Sequence, residues 1–130
     1  MNEETRPEKT KGLKHVLAAI PPTIAGFKAA YRNEEAIRQE VAVFAVLIPT
    51  AFWLGSSAAE VVLLVGCCLL VFAMEILNAA VETVVDRIGL EYHELSGRAK
   101  DLASAAVYVC WFNLVITWVV IGADHFFQLF

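Results

Sequence analysis

The sequence predicts an all-α membrane protein, with an N-terminal amphipathic helix in the membrane interface followed by three transmembrane helices. Three observations lead there. The 130 residues are 58% hydrophobic and only 18% charged, with a mean hydropathy of +0.61, far more apolar than an ordinary soluble domain. The apolar residues gather into three runs, each free of charge over at least fourteen residues. The charges collect at the borders of those runs. Three spans of about 20 residues consume roughly 60, leaving about 70. That remainder is too small for a separate soluble catalytic domain, so any chemistry falls to the membrane helices, their edges and one loop.

Residues 1–12 hold Glu3, Glu4, Arg6, Glu8, Lys9 and Lys11 without apolar periodicity, the pattern of a flexible polar tail. They do not resemble a signal peptide, because no short apolar core with a cleavage site follows, so the membrane segments are expected to be permanent. The rest, 13–130, forms a single membrane domain. Over 13–34, Val16, Leu17, Ile20, Ile24, Phe27 and Tyr31 recur at three- and four-residue steps, while Lys14, Lys28 and Arg32 occupy other positions. This periodicity predicts an interfacial helix. Pro21-Pro22 should break or kink it, since proline removes a backbone donor and restricts the residue before it.

The first span is expected at about 36–54, with VAVFAVLIPTAFWL as its apolar part, Trp53 as an interfacial anchor and Pro49 as a bend. The second is expected at 61–85 and the third at 104–123, which carries no charge. Between them, 86–103 reads as a charged loop. Of ten Lys and Arg, seven lie between Arg6 and Arg38, and the others are Arg87, Arg98 and Lys100. The positive-inside rule therefore puts the N-terminus and the loop in the cytoplasm, and the C-terminal HFFQLF outside. The net charge of -4 argues against a nucleic-acid partner. Cys67, Cys68 and Cys110 fall inside apolar runs without zinc spacing, and are expected to be buried thiols.

The second span carries the informative residues. Glu75, Asn78, Glu82 and Asp86 are spaced by three, four and four residues, which confines them to a stripe of roughly 80° on a helix. Glu75 lies about 21 Å along the axis from Val61, and Asp86 some 16 Å further on. An ionisable group within a span costs about 2.5 to 3.5 kcal/mol on insertion scales, so the stripe should face protein or a hydrated cleft. Three carboxylates on one stripe call for a proton or a cation, and magnesium suits oxygen ligands and phosphates. Glu34, just before the first span, sits near the depth of Glu82, so the two are candidates to share the ion. A blander reading gives Glu82 and Asp86 to the helix exit, paired with Arg87 or Arg98. Glu75, apolar on either side along the chain, does not fit that reading. Asn78 and Asn113 are also candidates for interhelical hydrogen bonds alone.

The loop DRIGLEYHELSGRAKD supplies Arg98 and Lys100 for phosphate and Tyr92 or His93 for a base, or else is only a solvated connector. No GxxxxGK[ST], GxGxxG or GxSxG motif is present. Taken together, EILNAAVETVVDRIGLEYHELSGRAKDLASAAV (75–107) and RNEEAIRQE (32–40) closely resemble the signatures of the bacterial integral-membrane diacylglycerol kinases, in their proteobacterial form. The helix over 13–34 departs from that pattern in His15, Ala18, Ile24, Ala25 and the two prolines.

The resemblance implies transfer of the ATP γ-phosphoryl to the primary hydroxyl of diacylglycerol, giving phosphatidate, in a homotrimer with shared sites in the bacterial inner membrane. Glu75 matches the general base, with Asn78 beside it. Glu34 and Glu82 match magnesium ligands. The nucleotide-side positions are Glu34, Glu82, Asp86, Glu91, Tyr92, His93, Lys100 and Asp101, and the lipid-side positions are Lys28, Tyr31, Arg38, Glu40, Glu75, Ser104 and Trp118. Undecaprenol is the alternative acceptor within the family. In other classes stand a small proton-relay or transport subunit built on Glu75, and a non-catalytic assembly partner. Proton flux in liposomes without ATP distinguishes the relay; indifference of growth and lipid content to alanine at Glu75 and Glu82 distinguishes the partner.

Overall fold

The computed structural model describes residues 12–129. They form four helices, α1 (Leu13–Asn33), α2 (Glu35–Leu54), α3 (Ala58–Ile88) and α4 (Glu94–Phe127), with no strand among the described residues. The expected tail lies outside the described residues except for Gly12, whose left-handed φ of 66° precedes α1. The chain divides into two units, one containing α1 and the other running from Glu34 onward.

In the first unit, α1 is an uninterrupted helix of 21 residues that includes Pro21 and Pro22. The expected break is therefore absent. The helix continues despite the loss of the amides that would meet the carbonyls of Leu17 and Ala18 and the crowding of both rings against the preceding turn, and the proline φ is itself near helical. The next carbonyl, of Ala19, accepts a side-chain bond from Thr23 Oγ1 at 2.7 Å. Its apolar residues Leu13, Val16, Leu17, Ile20, Ile24 and Phe27 are all exposed.

In the second unit, α3 packs chiefly against α4 and also against α2, while α2 and α4 touch least. All three are long and apolar enough to cross a membrane. At 1.5 Å per residue, α3 and α4 extend roughly 46 and 51 Å, well beyond a hydrocarbon core of about 30 Å. The core follows helical spacing. Phe44 of α2, Cys67, Cys68 and Val71 of α3, and Cys110 and Leu114 of α4 form one buried cluster, and Ala51, Leu54 and Leu64 form another. The three cysteines are free and buried, as their apolar settings predict. Large residues such as Leu63, Leu70, Phe112 and Val119 stay exposed on the single chain, as befits helices surrounded by hydrocarbon rather than water.

The boundaries differ from the sequence expectation at the end of α4, which runs to Phe127 rather than 123, and more consequentially at two other places. α3 starts at Ala58, three residues before Val61, because Ser57 and Glu60 cap it. Glu60 N–H donates to Ser57 Oγ at 3.3 Å, and Ser56 N–H donates to Glu60 Oε2 at 2.7 Å, a reciprocal arrangement that satisfies amides at the helix start. The larger difference concerns 86–103. α3 continues to Ile88 and α4 begins at Glu94, so the non-helical connector is only Gly89–His93. Charge there marks helix protruding from the membrane rather than loop. The stretch from Glu94 to Ala103 is rich in good helix formers, and His93 caps it by accepting Leu95 N–H on Nδ1 at 3.2 Å.

The α2–α3 turn is closely packed around Gly55. A Cβ there would lie 2.6 Å from Val61 Cγ2 and 3.1 Å from both Ala51 O and Val61 N. Gly55→Ala is expected to destabilise the bundle by about 1–3 kcal/mol through overpacking, read as a lower thermal unfolding midpoint in detergent. An unchanged midpoint would show that the turn relaxes freely. At the same end, Trp53 lies against His125 and Phe126, with ring centroids 5.5 and 6.1 Å apart.

Candidate active site

The antiparallel course of α2, α3 and α4 brings the start of α2, the last half of α3 and the start of α4 to one end of the bundle. The carboxylates gather there. Asn78 Nδ2 donates to Glu82 Oε1 at 3.1 Å, one turn along the same face of α3. The charges of Glu82 and Glu34 both lie near enough to bear on Glu75. Glu34 precedes α2 in an extended conformation and makes no side-chain cap bond, so its carboxylate is not committed to the helix it introduces.

Three clefts open at this end. Glu75 and Asn78 face Ser104, Val107, Tyr108 and Trp111 of α4 across a space of about 440 Å³. On the other side of Glu75, a smaller space of about 280 Å³ is bounded by Ala36, Gln39, Glu40, Val43 and Trp111. Beyond the stripe, Asp86, Glu91, Tyr92, His93 and Lys100 line a cleft of about 380 Å³ with Ser96 and the connector. Lys100 Nζ and Asp86 Oδ1 pair at 2.6 Å across it. Both side chains are substantially exposed, so the pair adds little to stability; its consequence is to join α3 to α4 beside the connector.

Of the residues expected at the site, Glu75, Asn78, Glu40 and Ser104 thus meet around adjoining clefts, and Asp86, Glu91, Tyr92, His93 and Lys100 meet around another. Glu82 is half-buried between Asn78 and Asp86 along α3. Arg38 and Asp101 are exposed and line none of the three clefts. Lys28 and Tyr31 are exposed on α1, in the other unit. Trp118 packs in the apolar core with Leu54, Cys67 and Leu64 neighbours instead of lining a cleft. Trp111 and Tyr108 do line one, and neither was selected from sequence. A signal existed: Ser104, Trp111 and Trp118 recur at seven-residue steps, and the cleft uses the first two of that row.

A magnesium ion fits this donor set. Among the described residues no group of three His, Cys, Asp or Glu forms a ready metal cage, but magnesium is commonly held by one or two carboxylates, with water and substrate phosphates completing its shell. The buried Oδ1 of Asn78 has no hydrogen-bond partner, which leaves an oxygen donor beside Glu82.

Three membrane-length helices, with the carboxylates of α3 and the start of α4 gathered at one end, fit an integral membrane protein. Comparison with known proteins supplies its chemistry. The model of the prokaryotic diacylglycerol kinase family matches residues 22–122. The chain is 48% identical over 110 residues to a diacylglycerol kinase of Haemophilus influenzae, covering 85% of this chain and 93% of the relative. It is 46% identical over 117 residues to the Escherichia coli enzyme, covering 90% and 96%, and 47% identical over 110 residues to that of Pseudomonas aeruginosa, covering 85% and 89%. The chain belongs to the prokaryotic diacylglycerol kinase family, a family of membrane-embedded kinases.

Proposed function

We propose that this protein transfers the γ-phosphoryl of Mg-ATP to the primary hydroxyl of diacylglycerol, giving phosphatidate and ADP. The observation that carries the reading is the position of Glu75: half-buried, in a cleft with Asn78 and Ser104, about 10 Å along α3 from Glu82. A lipid hydroxyl at membrane depth and a water-borne nucleotide can meet along such a stripe. Glu75 takes the hydroxyl proton as the hydroxyl oxygen bonds to the γ-phosphorus. The bond from that phosphorus to the bridging oxygen breaks, and its electron pair leaves on ADP. Phosphoryl transfer needs positioning and charge stabilisation more than covalent help from the protein, and the chain's residues divide accordingly.

Asn78 holds Glu82 in place through its amide. Glu82 and Glu34 are the residues that would hold magnesium, which when bound supplies charge neutralisation across the phosphates. Asp86, Glu91, Tyr92, His93 and Lys100 form the nucleotide side, with Asp101 next to Lys100 outside the cleft, and Lys100 offers a cation to phosphate. With His93 Nδ1 accepting the cap bond, Nε2 is the nitrogen left for the nucleotide. Glu40 and Ser104 form the lipid side of the clefts, while Lys28 and Tyr31 on α1, Arg38 on α2 and the core residue Trp118 are lipid-side positions by family resemblance alone. α1 lies in the interface as an amphipathic helix, supported by its exposed apolar residues and by Lys14, Lys28 and Arg32. The N-terminus and the 86–103 segment face the cytoplasm of a bacterial inner membrane. A three-span chain leaves part of this polar end open, which supports a homotrimer with sites completed by neighbouring copies.

Family membership displaces the proton-relay and non-catalytic readings. Undecaprenol remains the alternative acceptor. The test is a side-by-side assay of purified protein in mixed micelles, with Mg-ATP and either diacylglycerol or undecaprenol. Faster turnover of diacylglycerol is expected; faster turnover of undecaprenol would replace the acceptor, and phosphorylation of neither would remove the kinase assignment.

A further inference from the structure

The buried face of α2 reads Ile37, Glu40, Phe44, Ala51 and Leu54, and Glu40 is the one polar member of that row. It is 4% exposed. Neither of its carboxyl oxygens reaches solvent or meets a hydrogen-bond donor. A carboxylate so placed forfeits its hydration without compensation, a cost of several kcal/mol. An apolar residue at this position would continue the packing stripe at no such cost, so the carboxyl group calls for a reason.

Its surroundings limit the reason. Glu40 and Glu75 bound the same 280 Å³ cleft, and the other residues around it, Ala36, Gln39, Val43 and Trp111, include no cation. The Gln39 amide already donates to Glu35 Oε1 at 3.1 Å. Two ionised carboxylates facing one such space repel each other, and carboxyl pairs in this situation hold a proton in common. Glu75 is then the acceptor that Glu40 faces, provided Glu40 brings the proton.

We propose that Glu40 and Glu75 form an acid pair holding one proton, in which the Glu40 O–H donates to one oxygen of Glu75 and leaves the other aimed at the acceptor hydroxyl. Glu40 is therefore a positioning residue acting through Glu75. The pair carries one negative charge before the reaction, enough for Glu75 to accept the hydroxyl proton. It holds two protons afterwards, and one returns to water. This inference rests on the kinase reading and assigns a distinct task to a residue that the family resemblance places only on the lipid side.

Three variants test it, each first checked for helicity and assembly state. Glu40→Leu keeps the volume and removes the donor; kcat should fall roughly 10- to 100-fold through loss of orientation, with KM for ATP unmoved. Glu40→Gln keeps a donor without an ionisable group and should recover most of that loss. Infrared difference spectra of wild type against Glu40→Gln should contain a protonated-carboxyl carbonyl band that shifts on deuterium exchange, and that band should cancel in the difference against Glu91→Gln, a carboxylate that lines a different cleft. A fall in Glu40→Gln as deep as in Glu40→Leu would mean that the charge itself is required and would overturn the proposal, as would a missing band or wild-type kcat in Glu40→Leu. The infrared result needs no turnover, so a failed lipid assay removes the kinase reading without deciding the pair.

Discussion

Glu75→Gln should lower kcat by roughly 100- to 10,000-fold, the usual range for loss of a general base, while the protein still folds and binds Mg-ATP. The two side chains are nearly isosteric, and the amide is the cheaper group to hold half-buried at the apolar end of the stripe. The loss corresponds to about 3–5 kcal/mol of barrier. It should fall on kcat, because the base contributes only when the hydroxyl proton moves. Steady-state kinetics with diacylglycerol, alongside thermal unfolding in the same micelles, separates this from a folding defect. Full activity in Glu75→Gln would take the base assignment away from Glu75 and return it to the lipid-side set.

A second large effect is expected at Glu82. Glu82→Gln retains an oxygen that can accept the Asn78 amide, now at 3.1 Å, so the local hydrogen bond survives while the charge is lost. Outer-sphere partners of metal ligands already cost 10- to 100-fold when removed. A direct ligand should cost at least about that much in apparent magnesium affinity. Magnesium titrations at fixed ATP should therefore shift to higher concentration, and Glu34→Gln should shift them in the same direction. Because the two carboxylates would serve one ion, the double variant should lose less than the product of the single losses. An unmoved magnesium dependence in both single variants would leave the stripe without its metal, and the bland reading of Glu82 as a helix-exit residue would then regain ground.

These expectations draw on information legible to different degrees in the chain. The stripe from Glu75 to Asp86 was readable from spacing alone, because an α-helix turns a sequence interval into a direction. Nothing in that spacing identifies what stands opposite. Ser104, Tyr108 and Trp111 face Glu75 and Asn78 across a cleft because α3 and α4 run antiparallel from a five-residue connector, whereas reading 86–103 as a loop leaves the register of α4 undetermined. The cause of that misreading is physical. Charge density signals water, and water surrounds a helix protruding from a membrane as fully as it surrounds a loop. The caps are signals that the span-by-span reading passed over: Ser57-x-x-Glu60 has the pattern of a helix start, and His93 stands immediately before a run of helix formers.

Glu40 marks the limit from the other side. By sequence it is one of several charges before an apolar run, alongside Glu34, Glu35 and Arg38, and nothing in its neighbours separates it from them. Only packing against the other helices shows it to be buried while Glu35 is exposed. The sequence by itself determined that this protein lives in a membrane, has three spans and carries a line of oxygen donors on the second, since composition and periodicity are properties of one segment at a time. Tertiary structure decided which carboxyls face one another and which aromatic rings close the cleft, because burial and opposition are properties of pairs of helices.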